Sequence, residues 1–160
     1  MPVVNRIIGV VSDTHGLLRP EVLKAFKGVS LILHAGDIGS PKVLEELRGL
    51  APVIAVRGNN DGDEWASRIP EVELVQAGEV SIYILHDVKD MKMKPPAKKV
   101  QVVISGHSHR PVVGERDGIL FLNPGSAGPR RFKLPVSIAR LIIKGTSVHA
   151  KVIELCRESK

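Results

Sequence analysis

The sequence predicts an α/β fold, and three observations carry that expectation. Short uninterrupted apolar runs such as residues 7–11, Ile-Ile-Gly-Val-Val, alternate with segments of helical period through the first third of the chain. Seven strand-like runs then succeed one another with turn-forming sequences between several of them. Finally, 43% of residues are hydrophobic but only 3% are aromatic, so the core must be built from Val, Ile, Leu and Ala, which suit buried strands packed by helices.

Residues 7–11 read as a strand buried on both faces. Pro20 suits a first helical turn, and Val22, Leu23 and Phe26 fall on one face before Gly28 ends the pattern. A strand over 31–33 comes next, then Ser40-Pro41 opens a second helix with Val43, Leu44, Leu47 and Leu50 at helical spacing, and 52–56 returns to strand. This βαβαβ order predicts parallel strands with right-handed crossovers. Further strands are expected over 71–76, 80–85, 100–104, 112–115, 119–122, 136–143 and 147–155, with hairpin signals at 76–79, 116–118 and 144–146. They are expected to make a largely antiparallel second sheet stacked on the first around a shared core. No repeat, linker or low-complexity tract interrupts the 160 residues, so a single domain over 1–160 is expected.

Composition excludes several classes of function. No apolar stretch reaches the roughly 18 residues of a membrane span, and a single cysteine, Cys156, cannot form an internal disulfide. A cytoplasmic location and no membrane partner are the expectations. The formal net charge of +6 is compatible with nucleic acid, an anionic surface or a phosphorylated substrate. Lysines crowd into 89–99 beside Pro95 and Pro96 with no aromatic residue, which reads as an exposed loop and disfavours nucleic acid.

The functional signal lies just beyond the end of each apolar run. Asp13 and His15 come after Val11, Asp37 after Leu33, Asn59 after Val56, His86 after Leu85, and His107 and His109 after Ile104. Ligands in open α/β sheets bind beyond the carboxyl ends of strands, so these seven should meet in one cleft. Their carboxylate, amide and imidazole donors suit Mn, Fe, Zn, Ni and similar divalent ions. Seven ligands exceed the four that one tetrahedral ion needs and suit two ions sharing a carboxylate. Gly16, Gly36, Gly58 and Gly106 would allow tight turns and close backbone approach beside them. His34 would act behind the ligands; His149 has no identifiable partner in the sequence.

Taken in order, Ser12-Asp13-Thr14-His15-Gly16, Gly36-Asp37, Gly58-Asn59-Asn60-Asp61, His86, Gly106-His107-Ser108-His109 and Asn123-Pro124-Gly125-Ser126 resemble the motif series of the calcineurin-like metallophosphoesterases, from residue 7 to about 126. The resemblance implies a metallophosphoesterase-type α/β sandwich of two stacked mixed sheets flanked by helices. It further implies that Asp13, His15, Asp37 and His109 hold one ion and Asp37, Asn59, His86 and His107 the other, with Asp37 the bridge and Asp37, Asn59 and His107 nearest the chemistry.

The implied activity is divalent-metal-dependent phosphodiester hydrolysis by in-line attack of a hydroxide shared between two ions. Manganese is the expected metal, with Ni, Fe, Zn, Co and Mg as alternatives. A phosphate ester is the expected partner, and a homodimer or tetramer the expected assembly. Arg57 stands where it could meet a phosphate oxygen or form a surface salt bridge. The rivals are a phosphomonoesterase and a metal-binding interaction scaffold like the retromer subunit of this fold. Three positions depart from the family pattern: Asn60 replaces the histidine thought to protonate the leaving group in larger members, Ser40 replaces an aspartate, and Asp87 stands where glycine is usual. Specificity is expected to lie in loops 62–70, 87–99 and 126–135.

Overall fold

The computed structural model describes residues 5–91, 100–130 and 133–156. Its elements, in chain order, are β1 (Asn5–Val11), α1 (Pro20–Ala25), β2 (Leu31–His34), α2 (Pro41–Arg48), β3 (Val53–Ala55), β4 (Val72–Ala77), β5 (Val80–Leu85), β6 (Val102–Ile104), β7 (Val112–Arg116), β8 (Ile119–Asn123), β9 (Val136–Lys144) and β10 (Ser147–Cys156). Short 3-10 turns cover Glu64–Arg68 and Val88–Asp90. The expected lysine-rich loop falls largely on 92–99, outside the described residues. Among the described residues no helix is long and apolar enough to cross a membrane.

Two five-stranded sheets result, in the orders β10-β9-β1-β2-β3 and β4-β5-β6-β8-β7. The β1-β2-β3 block is parallel, as the βαβαβ reading requires, with Val10 opposite Leu33 and Leu33 opposite Ile54. The second sheet corrects the largely antiparallel expectation. Its centre, β5-β6-β8, is parallel, and only β4 and β7 pair antiparallel at its edges. The last two strands also belong elsewhere, because β9 pairs antiparallel with β1 and carries β10 into the first sheet. The physical reason lies in β1. A strand apolar on both faces is central and needs ladders on both edges; β2 supplies one and β9, itself largely buried, the other. A hairpin signal reports which strands are adjacent, not which sheet they join.

Strand alternation divides the side chains among three apolar clusters. Ile8, Val10 and Leu33 from the first sheet meet Ile82, Ile84, Val102 and Ile104 from the second, which forms the core between the sheets. Val11 and Ile32 point the other way, onto Val22 and Phe26 of the α1 segment and Val43, Leu44 and Leu47 of α2. A smaller cluster around Leu85, Val100 and Val103 covers the outer face of the second sheet. Gly9 makes room for Phe26, since a Cβ there would lie 2.8 Å from its ring. Pro41 begins α2, and Ser40 caps it by accepting the Lys42 N–H at 3.2 Å, as expected of the serine at that position.

Candidate metal centre

Five parallel strands, β1, β2 and β3 of one sheet and β5 and β6 of the other, end on the same side of the molecule and deliver the expected residues. The loops beyond them are tied by backbone bonds. Asp13 N–H donates to Gly36 O and His15 N–H to Asp37 O, both at 2.9 Å, and Gly106 N–H donates to His86 O at 2.8 Å. Asp61 fastens the β2 and β3 loops, its carboxylate accepting from the N–H groups of Ile38, Gly39 and Gly58 at 2.9–3.0 Å.

These ties sustain an unusual backbone. Asp13, His15, Asp37, His107 and His109 all adopt left-handed φ values, between +49° and +74°, and the one other described non-glycine residue to do so is Asp117, in a hairpin turn. Each such conformation costs on the order of 1–3 kcal/mol and survives only where its surroundings over-determine it. Five of the seven expected ligands therefore share a conformation that ordinary loops avoid.

Two tight clusters of potential ligand atoms form, Asp13-His15-His109 and Asp13-Asp37-His86. Asp13 Oδ1 is 3.4 Å from His109 Nε2 and 3.8 Å from both His15 Nε2 and His86 Nε2. Asp37 Oδ2 lies between the same rings, 3.7 Å from His15 Nε2 and 3.3 Å from His86 Nε2. His107 lies outside the tight clusters, with its ring 5.2 Å from that of His86 and its Nδ1 3.2 Å from Asn59 Oδ1. Among the described residues five of the seven expected positions supply atoms to the two tight clusters, and Asn59 and His107 lie beside His86.

Each inward atom is aimed by its neighbours. Asp13 Oδ2 accepts from Ser12 Oγ at 2.8 Å and from His107 N–H at 3.1 Å, which leaves Oδ1 facing the imidazoles. His86 Nδ1 lies 2.8 Å from the Ala35 carbonyl, an obligate acceptor, so Nδ1 carries the proton and Nε2 faces the carboxylates. Asp13 Oδ1, His15 Nε2 and His86 Nε2 are buried without a hydrogen-bond partner although they face one another. A buried ring of carboxylate and imidazole acceptors is what a divalent cation satisfies, so this donor set fits a metal.

Electrostatics agree. Burial alone would push the Asp37 carboxyl up, but the His86 imidazole 3.3 Å away, the Asn60 N–H and the His15 imidazole hold it well below the carboxylate range. Asp13 is likewise lowered: burial opposes, and His109, His86 and the Ser12 hydroxyl prevail. His86 is raised, burial being outweighed by Asp37, Asp13 and the Ala35 carbonyl. Burial drives His34 down to about 4.

The departures from the family pattern resolve into contacts. Asn60 grips Asp37 twice, its N–H donating to Oδ1 at 2.9 Å and its carboxamide to Oδ2 at 3.0 Å. Arg57 takes the salt-bridge alternative, donating to Glu71 at 2.8 Å and to the Ile69 carbonyl at 3.1 Å. It still lines, with Asn59, His86 and His107, a cleft of about 460 Å³. The anchoring roles of Ser12 and Asp61 carried no readable signal, because a serine and an Asp-Gly pair at loop positions look like ordinary turn residues. The Asn123-Pro124-Gly125-Ser126 loop braces the centre. Asn123 Nδ2 donates to Gly106 O at 3.0 Å, and Ser126 Oγ donates to Asp13 O at 3.1 Å.

Comparison with known proteins converges on one family. The calcineurin-like phosphoesterase superfamily domain matches residues 7–146. A protein of Methanothermobacter thermautotrophicus designated a probable metallophosphoesterase is 40% identical over 92% of this chain and 91% of its own. A phosphodiesterase of Methanocaldococcus jannaschii is 34% identical over 74% of this chain and 82% of its own. Vacuolar Protein Sorting 29 from Cryptosporidium parvum superposes with a TM-score of 0.81 at 22% identity, over 96% of this chain and 93% of that one, a likeness of fold. With its two candidate metal clusters and these relatives, the chain belongs to the calcineurin-like phosphoesterase superfamily.

Proposed function

We propose that this chain, as one domain, is a divalent-metal-dependent phosphodiesterase. The observation that carries the reading is the set of buried, partnerless atoms at Asp13, His15 and His86, with Asp13 Oδ1 3.8 Å from each imidazole Nε2. The similarity to the phosphodiesterase of Methanocaldococcus jannaschii supports the diester as substrate class. Asp13, His15, Asp37 and His109 would hold one ion, and Asp37, Asn59, His86 and His107 the other, with Asp37 shared. When bound, such a pair lowers the pKa of water and polarises a phosphoryl oxygen.

The chain's own residues set the terms of that chemistry. Asp13 and Asp37 offset only two of the four positive charges, so the centre attracts an anionic ester. Asn60 uses its amide groups to hold Asp37 and carries no acidic proton, so it cannot protonate a leaving oxygen. Leaving groups that need no protonation are therefore favoured. Positioned general acids contribute about a hundred- to ten-thousand-fold, so aryl diesters should react faster than alkyl diesters by about that factor.

The test is hydrolysis of bis(4-nitrophenyl) phosphate with added manganese, beside 4-nitrophenyl phosphate and a methyl 4-nitrophenyl diester attacked at either leaving group. Manganese-dependent diesterase activity is expected, lowered about a hundredfold or more in Asp37→Asn. Faster turnover of the monoester would make the protein a phosphomonoesterase. No metal stimulation, with Asp37→Asn binding manganese as wild type does, would leave the interaction scaffold.

A further inference from the structure

His107 is the expected ligand that the fold holds least. Its side chain is 45% exposed, while that of Asp13 is fully buried. Besides the edge-on His86 ring, two polar contacts define its ring: Nδ1 is 3.2 Å from Asn59 Oδ1, and Nε2 is 3.6 Å from Asp87 Oδ2. Asp87 is itself set in place. Its Oδ1 accepts the Lys89 N–H at 3.0 Å and caps the turn Val88–Asp90, which leaves Oδ2 toward the imidazole.

We propose that Asp87 is a positioning residue for His107, whose carboxylate draws the ring proton toward Nε2, against the pull of Asn59 Oδ1 on Nδ1, and so helps free the Nδ1 lone pair for a cation that Asn59 Oδ1 also faces. The inference rests on the reading of His107 as a ligand. A neutral imidazole has one donor and one acceptor nitrogen, and an ionised carboxylate only accepts. Asn59 Oδ1, also an acceptor, draws the proton to Nδ1 and the Asp87 carboxylate draws it to Nε2; the carboxylate charge shifts the balance toward Nε2–H, and a cation that takes Nδ1 and Asn59 Oδ1 completes the shift. At 3.6 Å the pair is just beyond a direct hydrogen bond; a small side-chain rotation or one bridging water completes it. Carboxylates behind metal-bound imidazoles typically change metal affinity about ten- to a hundredfold.

Asp87→Gly and Asp87→Asn test it in the full-length protein. Long-range ¹H–¹⁵N NMR of the metal-free protein at pH 8 should show a larger Nε2–H share for His107 in wild type than in Asp87→Gly, where Asn59 Oδ1 draws the proton to Nδ1. Calorimetric titration with manganese should show two ions in wild type. In Asp87→Gly one site should be unchanged and the other weaker by about ten- to a hundredfold. Asp87→Asn, which keeps an acceptor oxygen, should fall between them, and the metal-free variants should melt with wild type. An unchanged tautomer with unchanged affinities overturns the proposal. So does equal weakening of both sites with a lower metal-free melting temperature, which would make Asp87 a loop brace only. If wild type binds fewer than two ions while the His107 tautomer still shifts, the dinuclear reading fails and the hold of Asp87 on His107 stands.

Discussion

His34 shows how far one residue's protonation state can be read from its neighbours. It is fully buried, and its Nδ1 accepts the Gly36 N–H at 3.1 Å, so in the neutral ring Nε2 carries the proton. Nε2 stands 3.0 Å from Thr14 Oγ1, which donates onward to Ile38 O at 2.8 Å. Thr14 lies between two candidate ligands, so this chain of bonds links β2 to the Asp13 loop. Protonating His34 would set one N–H against another, and burial holds its pKa near 4. An unfolded histidine titrates near 6.5, so the unfolded state takes up the proton first as the pH falls. The metal-free protein should lose about 3 kcal/mol between pH 6.5 and 4 from this residue, on the scale of about 1.4 kcal/mol per pKa unit. The lowered carboxylates act below that window. The raised His86 acts above it, its contribution lost as the pH rises. Urea unfolding across pH 7.5 to 4 measures the slope; flat stability below pH 6.5 would contradict the assignment. The sequence showed His34 beside a ligand loop, but its tautomer and burial depend on Thr14 and Gly36 reaching it across the fold.

Among the elements, the Gly106–His109 turn after β6 is packed closely against the Asp13 loop. Its His107 and His109 are left-handed, Gly106 N–H is bound to His86 O, and Gly106 O is held by Asn123 from β8. A Cβ on Gly106 would collide with Ser12 Oγ and lie 2.7 Å from Asp13 Oδ2. Gly106→Ala should therefore destabilise the metal-free protein by about 1–3 kcal/mol, as overpacking does, and weaken manganese binding by displacing Asp13. Gly114→Ala on β7, where a Cβ meets nothing within 4 Å, is the control expected to leave both unchanged. Denaturant melts and calorimetric titration of the two variants decide it. Element boundaries were legible because apolar period and Pro, Ser and Gly punctuation are local. The placing of β9 beside β1 was not, since strand pairing across more than a hundred residues leaves no mark on either run.

For the whole molecule, the apolar clusters on both faces of the first sheet and between the sheets do not include the candidate ligands. The fold should therefore stand without metal, while metal adds stability by binding the native state alone. Manganese at about a hundred times its dissociation constant should add about 2.7 kcal/mol, or roughly 5–11 °C in melting temperature for a chain of this size. Scanning calorimetry with manganese and with chelator measures the shift, and Asp37→Asn should reduce it. Equal melting temperatures would mean that no ion binds the native state tightly.

What the sequence by itself determined was the α/β class, most element positions and the identity of the seven candidate ligands, because apolar period and side-chain chemistry are written locally. Only the tertiary structure decided that β9 and β10 complete the first sheet and that five candidate ligand residues adopt left-handed backbone. It also decided that Asn60 serves Asp37 and that Asp87 faces His107. These depend on groups brought together from distant strands, and the free energy of such contacts exists only once both sheets have closed around the core.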